Sequence, residues 1–214
     1  MMVLHDFWRS SAAYRVRIAL NIKGIEYRQI SHKLAAGEQR AAEYLALNPQ
    51  GLVPALQVEQ GVIAQSLALI EYLEEIHPLP SLLPNDPFAR ATVRAMANAI
   101  VCDIHPLNNL RIINYLRSEF SADETAVTRW IRHWITLGFE ALETQVRRHS
   151  AEGRHCYGVA PSMVDLCLVP QMYNARRFGC DLAPFPTLVA VDAHCRKLGA
   201  FAHAAPEAQP DATP

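Results

Sequence analysis

The chain is predicted to fold as a small mixed α/β domain followed by an all-α domain. Three observations lead there. Short strand-like runs alternate with short helical ones over the first third. A proline cluster, Pro78, Pro80, Pro84 and Pro87, then breaks the pattern. Beyond it nearly every segment has helical periodicity. With 214 residues, half of them hydrophobic, the chain can bury one large core or two small ones.

The elements follow in order. Val3 to Phe7 is a short strand, closed by the polar turn Arg9-Ser10-Ser11. Tyr14 to Lys23 is a helix with Val16, Ile18, Ala19, Leu20 and Ile22, with Arg15 and Arg17 interleaved, and Gly24 is its C-terminal stop. Ile25 to Ile30 reads as a second strand. Residues 32–47 are polar and Ala-rich, with a helical turn or two. Val53 to Val58 and Val62 to Ala64 form a hairpin about Gly61, and Ser66 to Ile76 is an amphipathic helix. The order β-α-β-α-β-β-α is thioredoxin-like, and the crossover rule makes it a small mixed sheet. After the linker at 77–87, Phe88 to about Leu116 is one long helix kinked at Pro106, followed by helices at Ala122–Arg148, Met163–Phe178 and Leu188–Leu198. Ser162 and Asp165 have capping-box spacing at the start of the third. Trp130 and Trp134 read as core. The Ala- and Pro-rich tail after Phe201 reads as loosely held. The domains are therefore expected at 1–80 and 88–214.

Composition excludes several classes. Lys plus Arg is 20 and Asp plus Glu is 21. That balance is not the basic excess of a nucleic-acid binder. The five cysteines form no CxxC and no metal-ligand spacing, so neither a metal site nor a disulfide framework is expected, and they read as reduced, buried, small apolar residues. No secretory h-region opens the chain, and no apolar run approaches the roughly 20 residues of a membrane helix. A cytoplasmic protein is expected. Only three of the 20 basic residues are lysines. Codon bias accounts for such a skew. So does a need for fork-shaped carboxylate receptors, which lysine replaces poorly.

Three stretches carry candidate chemistry. Ser10 and Ser11 stand where a strand ends and a helix begins. The N–H groups there favour an anion, and a hydroxyl can donate to a thiolate and lower its pKa from about 8.5. Plain helix capping needs the same residues. Pro54, opening a strand after Asn48-Pro49-Gln50-Gly51, is a candidate cis proline that would free the Val53 backbone to pair with an extended peptide; an ordinary trans turn fits as well. Ser66 after Gln65 is a natural N-cap, and with the helix N-terminus it can also hold a carboxylate.

Longer strings point to a family. Ser10 to Leu20 reads Ser-Ser-x-x-x-Arg-Val-Arg-Ile-Ala-Leu. Asn48 to Pro54, Gln65 to Glu75, Asp103 to Leu110, Val164 to Gln171 and Gln209-Pro210-Asp211 support it. From about Val3 to Asp211 the chain resembles the zeta-class glutathione transferases, which include the maleylacetoacetate and maleylpyruvate isomerases. The resemblance implies the glutathione transferase fold, glutathione as cofactor, a dicarboxylate substrate and a homodimer. It implies that Ser10 activates the thiol, with Ser11 and Arg9 assisting. It carries glutathione contacts onto Ser10, Ser11, Gln39, Val53, Pro54, Gln65, Ser66, His105 and Asn109. Arg9, Arg111, Arg176 and Arg177 become candidate substrate-carboxylate receptors, although any of them is equally a solvated surface arginine. Many family members have a cysteine after the paired serines. Here it is Ala12, so no mechanism through that cysteine operates.

The expected activity is glutathione-dependent cis–trans isomerisation of a maleyl keto-diacid by reversible thiolate addition. The alternatives are glutathione conjugation to small electrophiles such as halo-acids, or a non-catalytic interaction module on the same fold.

Overall fold

The computed structural model describes residues 1–213. The chain divides into two compact units. Unit 1 comprises Met1–Ser81 together with the chain from Arg196 onward, and unit 2 is Leu82–Cys195.

Unit 1 is built on a four-stranded sheet in the order β2-β1-β3-β4. The strands are β1 (Met2–Asp6), β2 (Tyr27–Ser31), β3 (Ala55–Val58) and β4 (Gly61–Ala64). β2 runs parallel to β1, which requires the crossover helix α1 (Ser11–Ile22). β3 is antiparallel to β1, and β4 returns antiparallel to β3. Gly61, at φ +146°, makes the tight hairpin. Between β2 and β3 lie two 3₁₀ turns, Leu34–Ala36 and Glu38–Arg40, and the short α2 (Ala42–Leu47). α3 (Ser66–Ile76) follows β4 and buries Leu69, Ile70 and Leu73.

α1 is buried along every residue from Ala13 to Leu20, since α3 and α9 (Gly199–Ala204) both pack on it. Arg15 and Arg17 are therefore buried with the rest of that stretch. Arg17 Nη1 pairs with Asp6 at 2.8 Å, with both side chains fully buried. Its remaining donors reach the Trp8 carbonyl (2.9 Å) and the Ala204 carbonyl (3.0 Å). Arg15 Nη1 donates to Ser66 Oγ at 3.1 Å. A buried charge is tolerated only when its partners are supplied, and a planar guanidinium can serve three at once.

The C-terminal segment corrects two expectations. It packs with the first domain rather than completing the helical one, and it is not loose. Phe201, Ala204 and Pro206 are buried. The Tyr14 hydroxyl donates to the Phe201 carbonyl and Asn21 Nδ2 to the Ala200 carbonyl. An Ala- and Pro-rich composition suggests mobility only where nothing apolar is anchored, and Phe201 is an anchor.

Unit 2 is helical: α4 (Pro87–Asn98), α5 (Leu110–Phe120), α6 (Glu124–His149), α7 (Met163–Arg177) and α8 (Pro186–Cys195). Asp86 caps α4 through the Ala89 N–H at 2.8 Å, with Pro87 at the first helical position. The single kinked helix expected from Phe88 to Leu116 is instead four pieces. α4 passes into a π segment, Ala99–Ile104, then a 3₁₀ turn, His105–Asn108, then α5. Pro106 has no N–H for a carbonyl one turn earlier, and its ring crowds that carbonyl. The strain is spread over a turn upstream. Gly138 on α6 lets Ile104 approach closely, since a Cβ there would stand 2.3 Å from Ile104 Cδ1. Trp130 is half-buried rather than plain core, and its indole N–H holds the Leu107 carbonyl at 2.8 Å.

The capping box at α7 is present. Asp165 accepts the Ser162 N–H (2.7 Å), the Ser162 hydroxyl (2.8 Å) and the Cys156 N–H (2.7 Å). Cys156, Cys167 and Cys195 are buried as expected, whereas Cys102 is exposed and Cys180 half-buried. Among the described residues, no helix is long and apolar enough to cross a membrane.

Candidate functional site

The sheet register gathers the motifs of unit 1 at one end. Ala55 lies opposite His5, so Val53-Pro54, entering β3, runs beside the chain that leaves β1 for Ser10. Ala55 also lies opposite Ala64, so Gln65-Ser66 leaves β4 next to Pro54. Three segments far apart in sequence thus converge where α1 and α3 begin.

Ser10 is the N-cap of α1. Its backbone is extended, and its Oγ accepts the Ala13 N–H at 3.2 Å. That bond uses the oxygen and leaves the hydroxyl proton to donate elsewhere. Ser11 is the first helical residue. Arg9 is exposed, with its guanidinium 5.1 Å from the centre of the Trp8 ring. The helix opens with no acidic residue in its first turn, so its positive end is not neutralised from within.

The Val53–Pro54 bond is cis. Pairing between β1 and β3 and between β3 and β4 begins only at Ala55, so the sheet uses neither the N–H nor the C=O of Val53. The preceding turn is tightly held. The Tyr44 hydroxyl (2.6 Å) and Asn48 Nδ2 (2.8 Å) both donate to the Leu52 carbonyl. Gly51 has φ +57°, and a Cβ there would lie 2.9 Å from the Gln39 carbonyl oxygen. Glycine is thus required, and the 3₁₀ turn with Gln39 sits directly on this loop. Gln39 Oε1 is buried without a hydrogen-bond partner among the described residues.

Ser66 departs from expectation. It is the first residue of α3, not its cap; the cap position is Gln65, with no side-chain capping bond. The Ser66 hydroxyl instead accepts from the buried Arg15. Gln65 stands at φ 71°, a left-handed conformation costing a non-glycine residue about 1 kcal/mol or more. Its Nε2 donates to Gln50 Oε1 at 2.8 Å, which ties α3 to the Val53 loop. Sequence reading missed the partners Tyr44, Gln50 and Arg15. A polar residue inside an apolar helix, as at Arg15, was the available signal.

Behind this end of the sheet lies an aromatic cluster. His5 Nδ1 and His32 Nε2 are 3.0 Å apart, and the His32 and Tyr44 rings are 4.2 Å apart. Burial lowers the pKa of both histidines below 6.5, and for His5 the neighbouring His32 lowers it further.

The remaining candidates lie in unit 2. His105 opens the 3₁₀ turn containing Pro106. Asn109 caps α5, its Oδ1 accepting the Arg111 N–H at 3.1 Å, and Arg111 is exposed at the start of that helix. Arg177 ends α7, its guanidinium 4.8 Å from the centre of the Phe178 ring. Arg176 has a different task from the one expected. It pairs through both terminal nitrogens with the buried Asp192, at 2.8 and 3.3 Å. That carboxylate is its counter-ion, while the Arg176 side chain remains 37% exposed.

A thioredoxin-like sheet with a serine at the first helix N-terminus, a cis-proline-opened strand and a Gln-Ser helix start defines a thiol-peptide-binding domain. The family described as "Glutathione S-transferase, N-terminal domain" matches residues 9–76. Maleylpyruvate isomerase from Ralstonia sp is 49% identical over 210 residues, covering 98% of this chain and 99% of that one. A probable maleylacetoacetate isomerase from Vibrio cholerae is 50% identical over 213 residues, covering 99% and 98%. The holo structure of a zeta-class maleylpyruvate isomerase superposes with a TM-score of 0.96 at 48% identity, covering 99% of this chain and all of that one. Maleylacetoacetate isomerase from Anaeromyxobacter dehalogenans, with bound glutathione, superposes with a TM-score of 0.90 at 43% identity, covering 100% and 98%. The chain belongs to the zeta class of glutathione transferases, the family of these isomerases.

The residues present fit glutathione, a tripeptide with a thiol, two amides and two carboxylates. Val53 has strand-edge groups the sheet does not use. Gln39 Oε1 is an orphan acceptor, and the N–H groups opening α1 and α3 suit anionic groups.

Proposed function

We propose that this enzyme isomerises a maleyl keto-diacid, maleylacetoacetate or maleylpyruvate, from cis to trans with glutathione as a recycled cofactor. The observation that carries this reading is the convergence of Ser10, Val53-Pro54 and Gln65-Ser66 at one end of the sheet, in a chain about half identical to enzymes of that name. Both candidate substrates have the same maleyl double bond, conjugated ketone and terminal carboxylates.

When bound, glutathione supplies a thiolate that adds to the double bond and leaves again after rotation. The chain's own residues do the rest. Val53 holds an extended peptide by its backbone groups. Gln39, Gln65 and Ser66 take the polar ends, with Ser66 oriented by Arg15. His105 and Asn109 are further proposed contacts. The Ser10 hydroxyl donates a hydrogen bond to the sulfur, and Ser11 and the α1 N-terminus add to the positive potential there. Arg9, Arg111 and Arg177 are proposed receptors for the substrate carboxylates. A donor aimed at the carbonyl oxygen, where negative charge develops, stabilises the transition state more than the ground state.

We further propose a cytoplasmic homodimer, a state in which the family's fold usually works and which sedimentation would test. The decisive experiment mixes purified protein, glutathione and either substrate, and follows enone absorbance and free thiol together. Isomerisation without loss of thiol is expected. Stoichiometric thiol loss would instead mark a conjugating transferase, and failure to isomerise either substrate overturns the proposal.

A further inference from the structure

The geometry points to Asp211, in the C-terminal tail, as the residue that positions Ser10. The inference rests on the reading of Ser10 as the thiol-activating group. β1 reaches α1 through a tight turn from Phe7 to Ser10, closed by the Ser10 N–H on the Phe7 carbonyl at 2.9 Å. Trp8 and Arg9 are the central residues of that turn. Trp8 is held through both of its backbone groups by side chains from other parts of the chain. Its carbonyl accepts Arg17 Nη2 at 2.9 Å. Its N–H donates to Asp211 Oδ2 at 3.2 Å, across 203 positions of sequence.

Each partner is itself anchored. Arg17 is fixed by the buried pair with Asp6 and by the Ala204 carbonyl. Asp211 Oδ2 also accepts the hydroxyl of Ser31, the last residue of β2. The chain that delivers it is pinned by Gln209, whose Nε2 donates to the His203 and Ala205 carbonyls, both at 2.9 Å. Trp8 itself is 8% exposed and carries Arg9 on its ring. Moving the Trp8 peptide therefore moves both Arg9 and the backbone of Ser10.

A hydroxyl that must meet a sulfur needs its supporting shell fixed to a few tenths of an ångström. Turns are the most easily re-aimed parts of a fold, and this one has a side chain bonded to each of the two peptides that meet at Trp8. Arg17 comes from α1, whereas Asp211 comes from the C-terminal segment, 203 positions from Trp8 in sequence. The tail is thus a clamp on the turn, and Asp211 is a positioning residue rather than a catalytic one.

The test uses the full chain with Asp211→Ala, Asp211→Asn and Ser31→Ala. Hydrogen exchange of the Trp8 amide is read without glutathione. Glutathione affinity by calorimetry and the pH profile of kcat/KM are read with it. Asp211→Ala should speed Trp8 exchange and shift the profile to higher pH. It should lower kcat/KM at neutral pH by about three- to tenfold, what one net hydrogen bond is worth. Glutathione affinity should stay within about twofold, because Val53, Gln65 and Ser66 are untouched. Asp211→Asn keeps an acceptor oxygen and should recover most of the loss, and Ser31→Ala, which removes one anchor of Asp211, should show the same changes to a smaller degree. Faster exchange with an unmoved pH profile overturns the proposal and makes Asp211 a structural tie only. An Asn variant as impaired as the Ala variant overturns it as well. A wild-type chain that binds no glutathione sinks the functional reading and this proposal together. A binding wild type with an indistinguishable Asp211→Ala sinks this proposal alone.

Discussion

Replacing Ser10 separates two roles that one side chain holds, capping a helix and acidifying a thiol. The Oγ to Ala13 N–H distance of 3.2 Å is long for such a bond. The cap therefore belongs in the lower half of its usual range, about 0.5–1 kcal/mol. In a chain of this size each kcal/mol moves Tm by about 2–4 °C. Ser10→Ala should lower Tm by about 1–4 °C, and Ser10→Gly by less, since glycine caps nearly as well as serine. The chemical loss should be larger. A hydrogen bond to a charged acceptor is worth about 1.5–3 kcal/mol, which corresponds to about one to two pKa units of the bound thiol.

Ser10→Ala and Ser10→Gly should therefore raise the thiol pKa equally, by about one to two units, while differing in Tm. Ser10→Thr should restore both. The assay is titration of thiolate absorbance in the bound state, beside kcat/KM and thermal melts. Ser11→Ala should act more weakly, because Ser11 is inside the first helical turn. If Ser10→Gly titrates the bound thiol as wild type does, or if Ser11→Ala has the larger effect, the hydroxyl at position 10 does not activate the thiol.

Three further outcomes are expected. Arg177→Ala should raise the KM for the maleyl substrate by about tenfold or more, the cost of one charge-assisted hydrogen bond, with glutathione affinity unchanged; an unmoved KM removes Arg177 from the site. Asp6→Ala leaves the buried Arg17 guanidinium without its counter-ion, and chemical denaturation should show a loss of about 3–5 kcal/mol; a loss under about 1 kcal/mol would mean the pair is not isolated from water. Acid should destabilise the fold through His5 and His32, whose pKa values burial lowers below 6.5. The unfolded chain takes up these protons first. Their contribution is complete above about pH 6.5 and is lost as pH falls through that value towards the folded-state pKa values. Melts between neutral pH and about pH 5 should show Tm falling, and a flat profile would refute this.

The strand and helix order of unit 1 was legible because each element has a local signature: Gly24 and Gly61 as stops, alternation in the strands, and the apolar stripe from Leu67 to Ile76. The positions of Ser10, Val53-Pro54 and Gln65-Ser66 at element boundaries were legible for the same reason. Partners distant in sequence were not. The sequence shows that Ser66 follows a strand, but not that a buried Arg15 donates to its hydroxyl, nor that Gln65 holds the cap position at a positive φ. The skew towards arginine was visible, but which arginines are buried was not. Pattern reading turns charged residues outward, whereas Arg17 faces inward because Asp6, Trp8 and Ala204 supply three acceptors from three parts of the chain. A lysine there offers one ammonium in place of a planar fork and cannot span them. The tail was misread through the same blindness to distance. Its composition describes a mobile end, yet Ala204 and Asp211 complete the shell around the turn that carries Ser10. The motif Gln209-Pro210-Asp211 and the motif beginning at Ser10 are thus two ends of one construction, joined where Asp211 accepts the Trp8 N–H.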